Sequence, residues 1–216
     1  MPINRGKIFE DEFKNSVSRN VYIHRLADAA SAFSGGQVTR FSVKNPFDFI
    51  MFSEGLLMPL ELKTTEQGAM SWETKKDKKK GKNIKLHQIE GLRKANSYDG
   101  VRGGFLLQFT NKETAYIRTY WLSIGDFDCM IEDLEGKKKS FNEKDLKQYN
   151  AYEVFTQLKQ VHYHYDIDDL IRYIRTLEGL KIPKAGRYKI ELCDEKDQPT
   201  QLEVDLKKLR EMGVDI

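Results

Sequence analysis

The segment 45–63, NPFDFIMFSEGLLMPLELK, constrains the fold more than any other part of the chain. Two apolar runs flank the pair Glu54-Gly55, and this arrangement predicts two antiparallel strands that are joined by a short turn. With a two-residue loop, counting outward from the turn places Asp48 directly opposite Glu61. The hairpin therefore brings two acidic side chains together inside the most apolar part of the sequence.

Side chains alternate between the two faces of a strand, so the same register assigns every residue to a face. One face is predicted to carry the apolar set Phe47, Phe49, Met51, Met58, Leu60 and Leu62. The other face carries Asp48, Glu61 and Lys63. Directly opposed Cβ atoms lie about 4.5–5.5 Å apart, and like charges at that distance are destabilising. A positive group must therefore lie between the carboxylates, and both Lys63 and a divalent cation are candidates.

Composition predicts one domain of ordinary size, or one domain with an appendage, for 216 residues. A hydrophobic fraction of 39% and an aromatic fraction of 11% are sufficient for a packed core. Cys129 and Cys193 have neither metal-ligand spacing nor a disulfide framework. No apolar run approaches the roughly 20 residues of a membrane span, and the first residues lack a signal-peptide core. We therefore expect a cytoplasmic protein without a membrane partner.

Hydrophobic periodicity predicts a mixed α/β fold. The predicted helical segments are 4–17, 84–97, 123–134, 142–149 and 166–178. The predicted strands, besides the hairpin, are 38–43, 105–109, 114–122 and 152–157, and the lysine-rich segment 64–83 is predicted to be a loop. Residues 181–216 are predicted to form a small hairpin and a helix. We therefore divide the chain into a main domain, 1–178, and a C-terminal α/β extension, 179–216.

Two carboxylates and a lysine on one strand face are suited to the hydrolysis of phosphodiesters. Asp48 and Glu61 supply the hard oxygen ligands that Mg²⁺ or Mn²⁺ prefers, and such a metal retains waters and takes phosphate oxygens as further ligands. The metal lowers the pKa of a bound water and neutralises developing charge. Lys63 can orient that water or stabilise the charge. A second acidic cluster, Glu191 with Asp205, lies in more polar surroundings, and we interpret it as structural.

The spacing Pro46-Phe47-Asp48, then Glu61-Leu62-Lys63, resembles the PD-(D/E)xK nuclease superfamily. Four further motifs, in order along residues 4–178, resemble the RecU-type Holliday junction resolvases: NRGKIFE, HQIEGL, GGFLLQF and YHYDIDDLIRYI. The resemblance implies a restriction endonuclease-like mixed sheet flanked by helices. It also implies a Mg²⁺-dependent endonuclease that nicks four-way DNA junctions. Two symmetric cuts make a homodimer the natural assembly.

The chain departs from the RecU pattern in two places. About 30 residues separate the first helix from Asp48, which is too few for the family's full basic stalk, and 181–216 extends beyond the usual family end. These differences are typical of a phage or prophage-encoded relative, and they leave the substrate open. One alternative is a restriction- or repair-type nuclease of the same superfamily that acts on duplex DNA. Another is a non-catalytic nucleic-acid-binding protein in which Lys63 simply neutralises the two acids.

Two further residues are predicted to assist the site. Glu10 lies at the edge of the first helix, where it can bind metal through water or can simply be an acidic residue near a helix N-terminus. Gln88 is adjacent to the buried Ile89, where it can contact a metal-bound water or phosphate, or can be an ordinary surface residue. His162 and His164 share a strand face without a carboxylate or cysteine, and we interpret them as structural.

A lysine segment is predicted to contact the DNA backbone. It comprises Lys75, Lys76, Lys78, Lys79, Lys80, Lys82 and Lys85. Such a segment can follow phosphates without reading sequence, and Trp72 beside it is a candidate for stacking on an unpaired base. Arg5 and Arg25 are weaker candidates for phosphate contact.

Overall fold

The computed structural model of the protein describes residues 4–26, 32–34, 37–39, 45–76, 81–111 and 116–179. The helices in these ranges are α1 (Arg5–Ser16), α2 (Leu86–Asn96), α3 (Ile124–Leu134), α4 (Glu143–Leu146) and α5 (Ile167–Gly179). The strands are β1 (Tyr22–Arg25), β2 (Ala32–Ser34), β3 (Gln37–Thr39), β4 (Phe49–Ser53), β5 (Leu56–Thr65), β6 (Met70–Ser71), β7 (Gly104–Asn111), β8 (Tyr116–Ser123), β9 (Ser140–Phe141), β10 (Tyr152–Val154), β11 (Thr156–Lys159) and β12 (His162–Tyr165).

A six-stranded mixed sheet forms the centre of the molecule, with the strand order β1-β4-β5-β7-β8-β10. Neighbouring strands are antiparallel except for β5 and β7, which are parallel. A parallel pair requires a long crossover connection, and here α2 lies in that connection. Three two-stranded pairs, β2-β3, β6-β9 and β11-β12, lie outside this sheet. The predicted mixed α/β class is confirmed.

The predicted hairpin is present with the predicted register. Ser53 pairs with Leu56 across the turn, and Glu54 and Gly55 both have positive φ, 46° and 85°. Two positive φ angles match the strand twist in a two-residue hairpin. Pairing continues outward to Phe49 and Leu60, and the next residues are Asp48 and Glu61.

The two faces of β5 pack against different helices. We call the side that carries Met58, Leu60 and Leu62 the apolar face; its core cluster includes side chains of α1 and α5. The side that carries Glu61 and Lys63 we call the acidic face; its core cluster includes side chains of α2 and α3. The central sheet therefore separates two hydrophobic cores, and the charged residues lie on the side of α2.

The predicted face of Phe47 is wrong. Phe49, Met51, Met58, Leu60 and Leu62 are all buried in the cluster of the apolar face, as expected. Phe47 instead belongs to the cluster of the acidic face, which also contains Ile89 and Leu92 of α2. The reason is that β4 begins at Phe49, so the alternation of a strand does not extend back to Phe47.

Most of the other predicted elements are found. The segments predicted as helices contain α1, α2, α3, α4 and α5, and those predicted as strands 105–109 and 114–122 correspond to β7 and β8. The loop prediction for 64–83 is wrong at its start, because β5 continues to Thr65 and β6 follows. The predicted strand 152–157 covers β10 and the first residues of β11, and β12 contains the strand-like run of His162 and His164; β1 was not predicted. The predicted strand 38–43 overlaps β3, while 40–44 and the predicted extension after Gly179 lie outside the described residues.

Candidate active site

The acidic face of the hairpin brings Asp48, Glu61 and Lys63 to one place. Glu61 and Lys63 are adjacent to Phe105 and Leu107 of β7 in the parallel ladder. Both of these neighbours are fully buried hydrophobic residues. The charged pair therefore lies in the middle strands of the sheet, where backbone positions are fixed by pairing on both sides.

Hydrogen bonds of both the backbone and the side chain fix the position of Asp48. Its N–H donates to the Leu60 carbonyl at 3.1 Å, and its carbonyl accepts from the Leu26 N–H at 2.8 Å. The carboxylate Oδ2 accepts from the Leu62 N–H at 2.8 Å. These bonds continue the hairpin beyond β4 and fix the carboxylate beside β5.

Glu61 is the most unusual residue of the site because a carboxyl group with 0% exposure lies in a hydrophobic core. Its Oε1 accepts hydrogen bonds from both Lys63 Nζ and Gln88 Nε2. Its Oε2 is buried and has no hydrogen-bond partner among the described residues. A buried polar atom without a partner costs free energy, so this oxygen is the atom of the site that most needs a ligand.

Burial raises the pKa of Glu61 to about 8. The main cause is loss of hydration, which disfavours the ionised form. Contact with Lys63 opposes the rise, whereas the neighbouring Asp48 carboxyl group adds to it. The two acids therefore repel each other as the register predicts. Lys63 lowers the pKa of Glu61 more than Asp48 raises it, so the net rise comes from burial.

Helix α2 places Gln88 against Glu61. Gly91, one turn further along α2, packs so closely on Pro46 that a Cβ built there would lie 2.5 Å from the Pro46 Cβ and 2.8 Å from its carbonyl oxygen. The Gln88 side chain also accepts from the Lys85 N–H at 2.9 Å in a capping box. Gln88 thus contacts Glu61, as its predicted position requires, and its role in catalysis stays a prediction.

The N-terminus of α2 is fixed by Glu73. Its carboxylate accepts from the Leu86 N–H and from Lys85 Nζ, both at 3.2 Å. Sequence analysis missed both Glu73 and Gly91, because each acts through a contact between segments that are distant in the chain. The glycine within an otherwise helical pattern was the available signal, since such a residue often marks a close approach.

Glu10 is not placed with the other acidic residues. Its carboxylate accepts from Arg25 Nε at 2.6 Å, which also gives the predicted phosphate contact Arg25 an acidic partner. Helix α1 packs on the apolar face, the opposite side of the sheet from Glu61. The assisting role of Glu10 stays a prediction, and it requires the Arg25 contact to open.

The described residues of the lysine segment have acidic neighbours at several points. Lys75 lies 4.0 Å from Glu90, Lys76 lies 3.4 Å from Glu135, and Lys85 contacts Glu73. The pairs of Lys75 and Lys76 are exposed, so they are weak and exchangeable, whereas the Lys85–Glu73 pair is partly buried at the start of α2. Lys78, Lys79 and Lys80 lie outside the described residues, and Arg5 contacts Glu66 at the end of β5.

Hydrogen bonds between residues 71–73 and residues 83–84 join the two ends of the lysine segment, and we call these residues the base of the segment. The Glu73 N–H donates to the Ile84 carbonyl, and the Ile84 N–H donates to the Ser71 carbonyl, both at 2.9 Å. The Asn83 side chain also accepts from the Ser71 N–H at 2.8 Å. This base lies directly before α2, so the segment begins and ends next to the helix that carries Gln88.

Trp72 contradicts its predicted stacking role. It is only 6% exposed and packs on Phe141, with ring centroids 6.2 Å apart. The pairing of β6 with β9 buries it, and sequence analysis did not predict that pairing. An indole this buried has no face available for a base.

The remaining predicted residues do not add ligands. His162 lies 3.5 Å from the buried Glu12, whose carboxylate also accepts from the Tyr163 N–H; this fits the structural role predicted for that histidine. Glu191 and Asp205 lie outside the described residues. Among the residues that are described, no group of three His, Cys, Asp or Glu side chains is placed to hold a metal ion.

Comparison with known proteins gives one informative similarity. No model of a known protein family matches the chain. The chain is similar to the SPbeta prophage-derived uncharacterized protein YotM of Bacillus subtilis (strain 168), with 33% identity over 127 residues. The match covers 57% of this chain and 58% of that protein, so the chain spans less than two thirds of this relative. The similarity supports a phage-derived origin.

No helix in the described ranges has the length and apolar composition that a membrane span requires.

Proposed function

We propose that the protein is a metal-dependent DNA endonuclease with a restriction endonuclease-like core, and that it acts on branched DNA as a RecU-like Holliday junction resolvase. The observation that carries this proposal is the Glu61 carboxyl group. It is fully buried beside a second carboxylate, and one of its oxygens has no partner in the described structure. A carboxyl group whose pKa is strongly perturbed by burial and by a charged neighbour is typical of functional sites, and a metal-dependent reaction is the use that fits these side chains.

The donor set fits Mg²⁺, with Mn²⁺ as a substitute. Asp48 and Glu61 provide carboxylate oxygens, and Glu61 Oε2 is the orphaned atom that a cation would satisfy. Two protein carboxylates are enough for Mg²⁺, because it usually keeps several waters and takes substrate phosphates as its other ligands. When bound, the metal would supply an activated water and neutralise charge on the phosphate.

The protein residues have separate tasks in this proposal. Asp48 and Glu61 hold the metal, and the hydrogen bonds of Asp48 to the β5 backbone keep its carboxylate in position. Lys63 donates to Glu61, so its ammonium group would lie beside a phosphate bound at this carboxylate and would stabilise negative charge there. Gln88 donates to the same Glu61 oxygen as Lys63, which leaves Oε2 as the carboxylate oxygen without a partner among the described residues.

The lysine segment supports DNA as the substrate. Its base is adjacent to α2, and its described cations Lys75, Lys76 and Lys82 line the same cleft as Leu86 and Ile89 of that helix. Exposed lysines bind phosphates without regard to base sequence, which suits an enzyme that recognises the shape of its substrate. Recognition of a four-way junction in particular rests on the RecU resemblance, and action on ordinary duplex DNA is the alternative within the same chemistry.

A non-catalytic nucleic-acid-binding protein is the second candidate. It is favoured by the Lys63–Glu61 contact, which neutralises part of the buried charge without a metal. The lack of a third acidic ligand in the described part of the chain also favours it. Under this reading the acids would serve stability alone, and no cation would be required.

The experiment that separates these functions offers the purified protein labelled four-way junction, duplex, flap and single-stranded DNA, each with Mg²⁺, Mn²⁺ or EDTA. We expect metal-dependent nicks at symmetric positions of the junction and a homodimer in solution. Cleavage of duplex as fast as junction would replace the resolvase by a restriction- or repair-type nuclease. Binding without cleavage in either metal would leave only the non-catalytic candidate.

A further inference from the structure

A cleft of about 540 Å³ lies between α2, α3 and the base of the lysine segment. Its apolar lining comes from Leu86 and Ile89 of α2 and Ile131 of α3, with one edge of Trp72. Six cationic and three acidic side chains complete the described lining, so the cleft is positive overall. An apolar floor with a cationic rim is unlike an ordinary solvated surface.

Two of the cations, Lys82 and Lys139, have no carboxylate within 4.0 Å among the residues that the structure describes. Lys82 lies just before the segment that pairs with Trp72, and Lys139 lies just before β9, which pairs with β6. Other cations of the cleft are engaged; for example, Arg93 makes a bidentate contact with Asp128 at 2.7–3.0 Å. Lys82 and Lys139 are therefore the groups with charge to offer a ligand.

The geometry points to a binding site for one unpaired nucleotide of a DNA strand, an inference that rests on the proposed function. An unpaired nucleotide presents an apolar base face together with flanking phosphates, and proteins bind such strands with apolar platforms and cationic grooves. The volume of the cleft lies within the range of small-ligand sites. A continuous duplex would offer phosphates to the lysines but no base to the floor.

Helix α2 connects the cleft to the candidate active site. Gln88 extends from it to Glu61, whereas Leu86 and Ile89 face the cleft. A helix is about 10 Å wide, and a stacked strand advances about 3.4 Å per nucleotide. A nucleotide in the cleft would therefore lie about one helix width, or roughly three stacked nucleotides, from Glu61, a spacing that suits the open centre of a branched substrate.

Binding in EDTA tests this site without any need for cleavage. The probes are a short labelled oligothymidylate and an oligomer of the same length that carries abasic sugars and phosphates only. The chain has two tryptophans, and Trp121 is fully buried on the apolar face, so a fluorescence change that is lost in Trp72→Phe reports on the cleft. We expect the oligothymidylate to bind about tenfold more tightly than the abasic oligomer and to change this signal.

Two sets of variants locate the binding. Lys82→Glu with Lys139→Glu should weaken both probes by about tenfold, whereas Ile131→Ser should weaken only the oligothymidylate. The matched control is Lys94→Glu with Lys137→Glu, which makes the same charge change at exposed residues that do not line the cleft. The lysine variants are surface changes, so they test the site even if Ile131→Ser proves unstable.

Several results would overturn the inference. Equal affinity of the two probes would show that no base enters the cleft, and equal loss in the control pair would place the binding elsewhere. A wild-type protein that binds neither probe would remove the site altogether. If the oligothymidylate binds but no DNA is cleaved with metal, the nucleotide site is retained and the nuclease proposal fails. If DNA is cleaved but the cleft variants bind the probes as the wild type does, the nuclease proposal is retained and the nucleotide site fails.

Discussion

Leu60 and Glu61 are neighbours on one strand and both have 0% exposure, yet they face different environments. Leu60 points to the apolar face among Phe9, Phe13 and Phe49, where burial is favourable throughout. Glu61 points to the acidic face, where burial raises its pKa and leaves one oxygen without a partner. The two faces of one strand thus separate the part of the sheet that stabilises the fold from the part that carries a costly charge.

This difference has a physical lesson for the site. A buried carboxyl group beside another carboxyl group lowers the stability of the metal-free protein, and a cation that binds only the folded state would restore it. Burial of hydrophobic side chains on the apolar face offsets this loss of stability. Substitutions on the apolar face should therefore mainly lower stability, whereas substitutions on the acidic face should mainly lower activity.

Leu60→Ala should cause the largest loss of stability. Truncation of a fully buried leucine leaves a cavity, and we expect about 2–5 kcal/mol less free energy of unfolding in urea denaturation. Leu158→Ala is the control, because Leu158 is 54% exposed and should change stability by no more than about 0.5 kcal/mol. A loss below about 1 kcal/mol at Leu60 would contradict the assignment of the apolar face as the stabilising core.

Gly91→Ala should affect stability and activity together. The added Cβ would overlap Pro46, so α2 must shift, at a cost of about 1–3 kcal/mol, and Gln88 moves away from Glu61. We expect reduced cleavage by folded protein at a temperature below its unfolding transition. Gly6→Ala in α1 is the matched control, because its nearest contact is 3.5 Å and alanine favours a helix. Unchanged cleavage in Gly91→Ala would remove Gln88 from the site.

Glu61→Gln should stabilise the metal-free protein by about 0.5–2 kcal/mol at pH 8, because it removes the buried charge. The folded pKa of Glu61 lies above its unfolded value of 4.5, so the folded state holds its proton more tightly. Wild-type stability therefore falls relative to the variant as pH rises from about 4.5 to about 8. Thermal unfolding in EDTA at pH 5, 6.5 and 8 measures this difference. A difference in stability between wild type and variant that stays constant with pH would show that folding does not raise the pKa of Glu61.

Lys78, Lys79 and Lys80 should matter for binding and hardly at all for stability. Replacement of all three by glutamine should weaken junction and duplex binding together. It should also reduce the slope of log affinity against log salt by about 0.9 for each lost phosphate contact. The control changes Lys7, Lys14 and Lys159, which are exposed and remote from the acidic face. An equal slope in wild type and variant would show that the segment does not touch DNA.

The sequence predicted the hairpin well because its register depends on local rules. A turn pair and strict alternation define which residues oppose each other, and the structure has that register from Ser53 to Phe49. The same rule failed at Phe47, where the strand has not yet begun. Gln88 was also accessible to prediction, since helical spacing from Ile89 gives its direction.

Contacts between distant segments account for what the sequence did not reveal. The burial of Trp72 depends on β9, almost 70 residues later in the chain. The pairing of Glu10 with Arg25 depends on β1, a strand of four residues, none of which is fully buried. The hydrogen bonds of Glu73 to the start of α2 depend on the contacts between residues 71–73 and 83–84 at the base of the lysine segment. None of these contacts follows from the spacing of residues within one segment.

The rate of junction cleavage in Mg²⁺ by acidic-face variants tests the central claim most directly. Asp48→Asn and Glu61→Gln should each lower the rate by at least about a hundredfold, because each removes a charge that holds the metal. The control Asp99→Asn changes an exposed acid and should cleave at the wild-type rate. Folding and DNA binding in EDTA should be retained in all three variants. Near wild-type cleavage by either Asp48→Asn or Glu61→Gln would show that the acidic face is not the catalytic site.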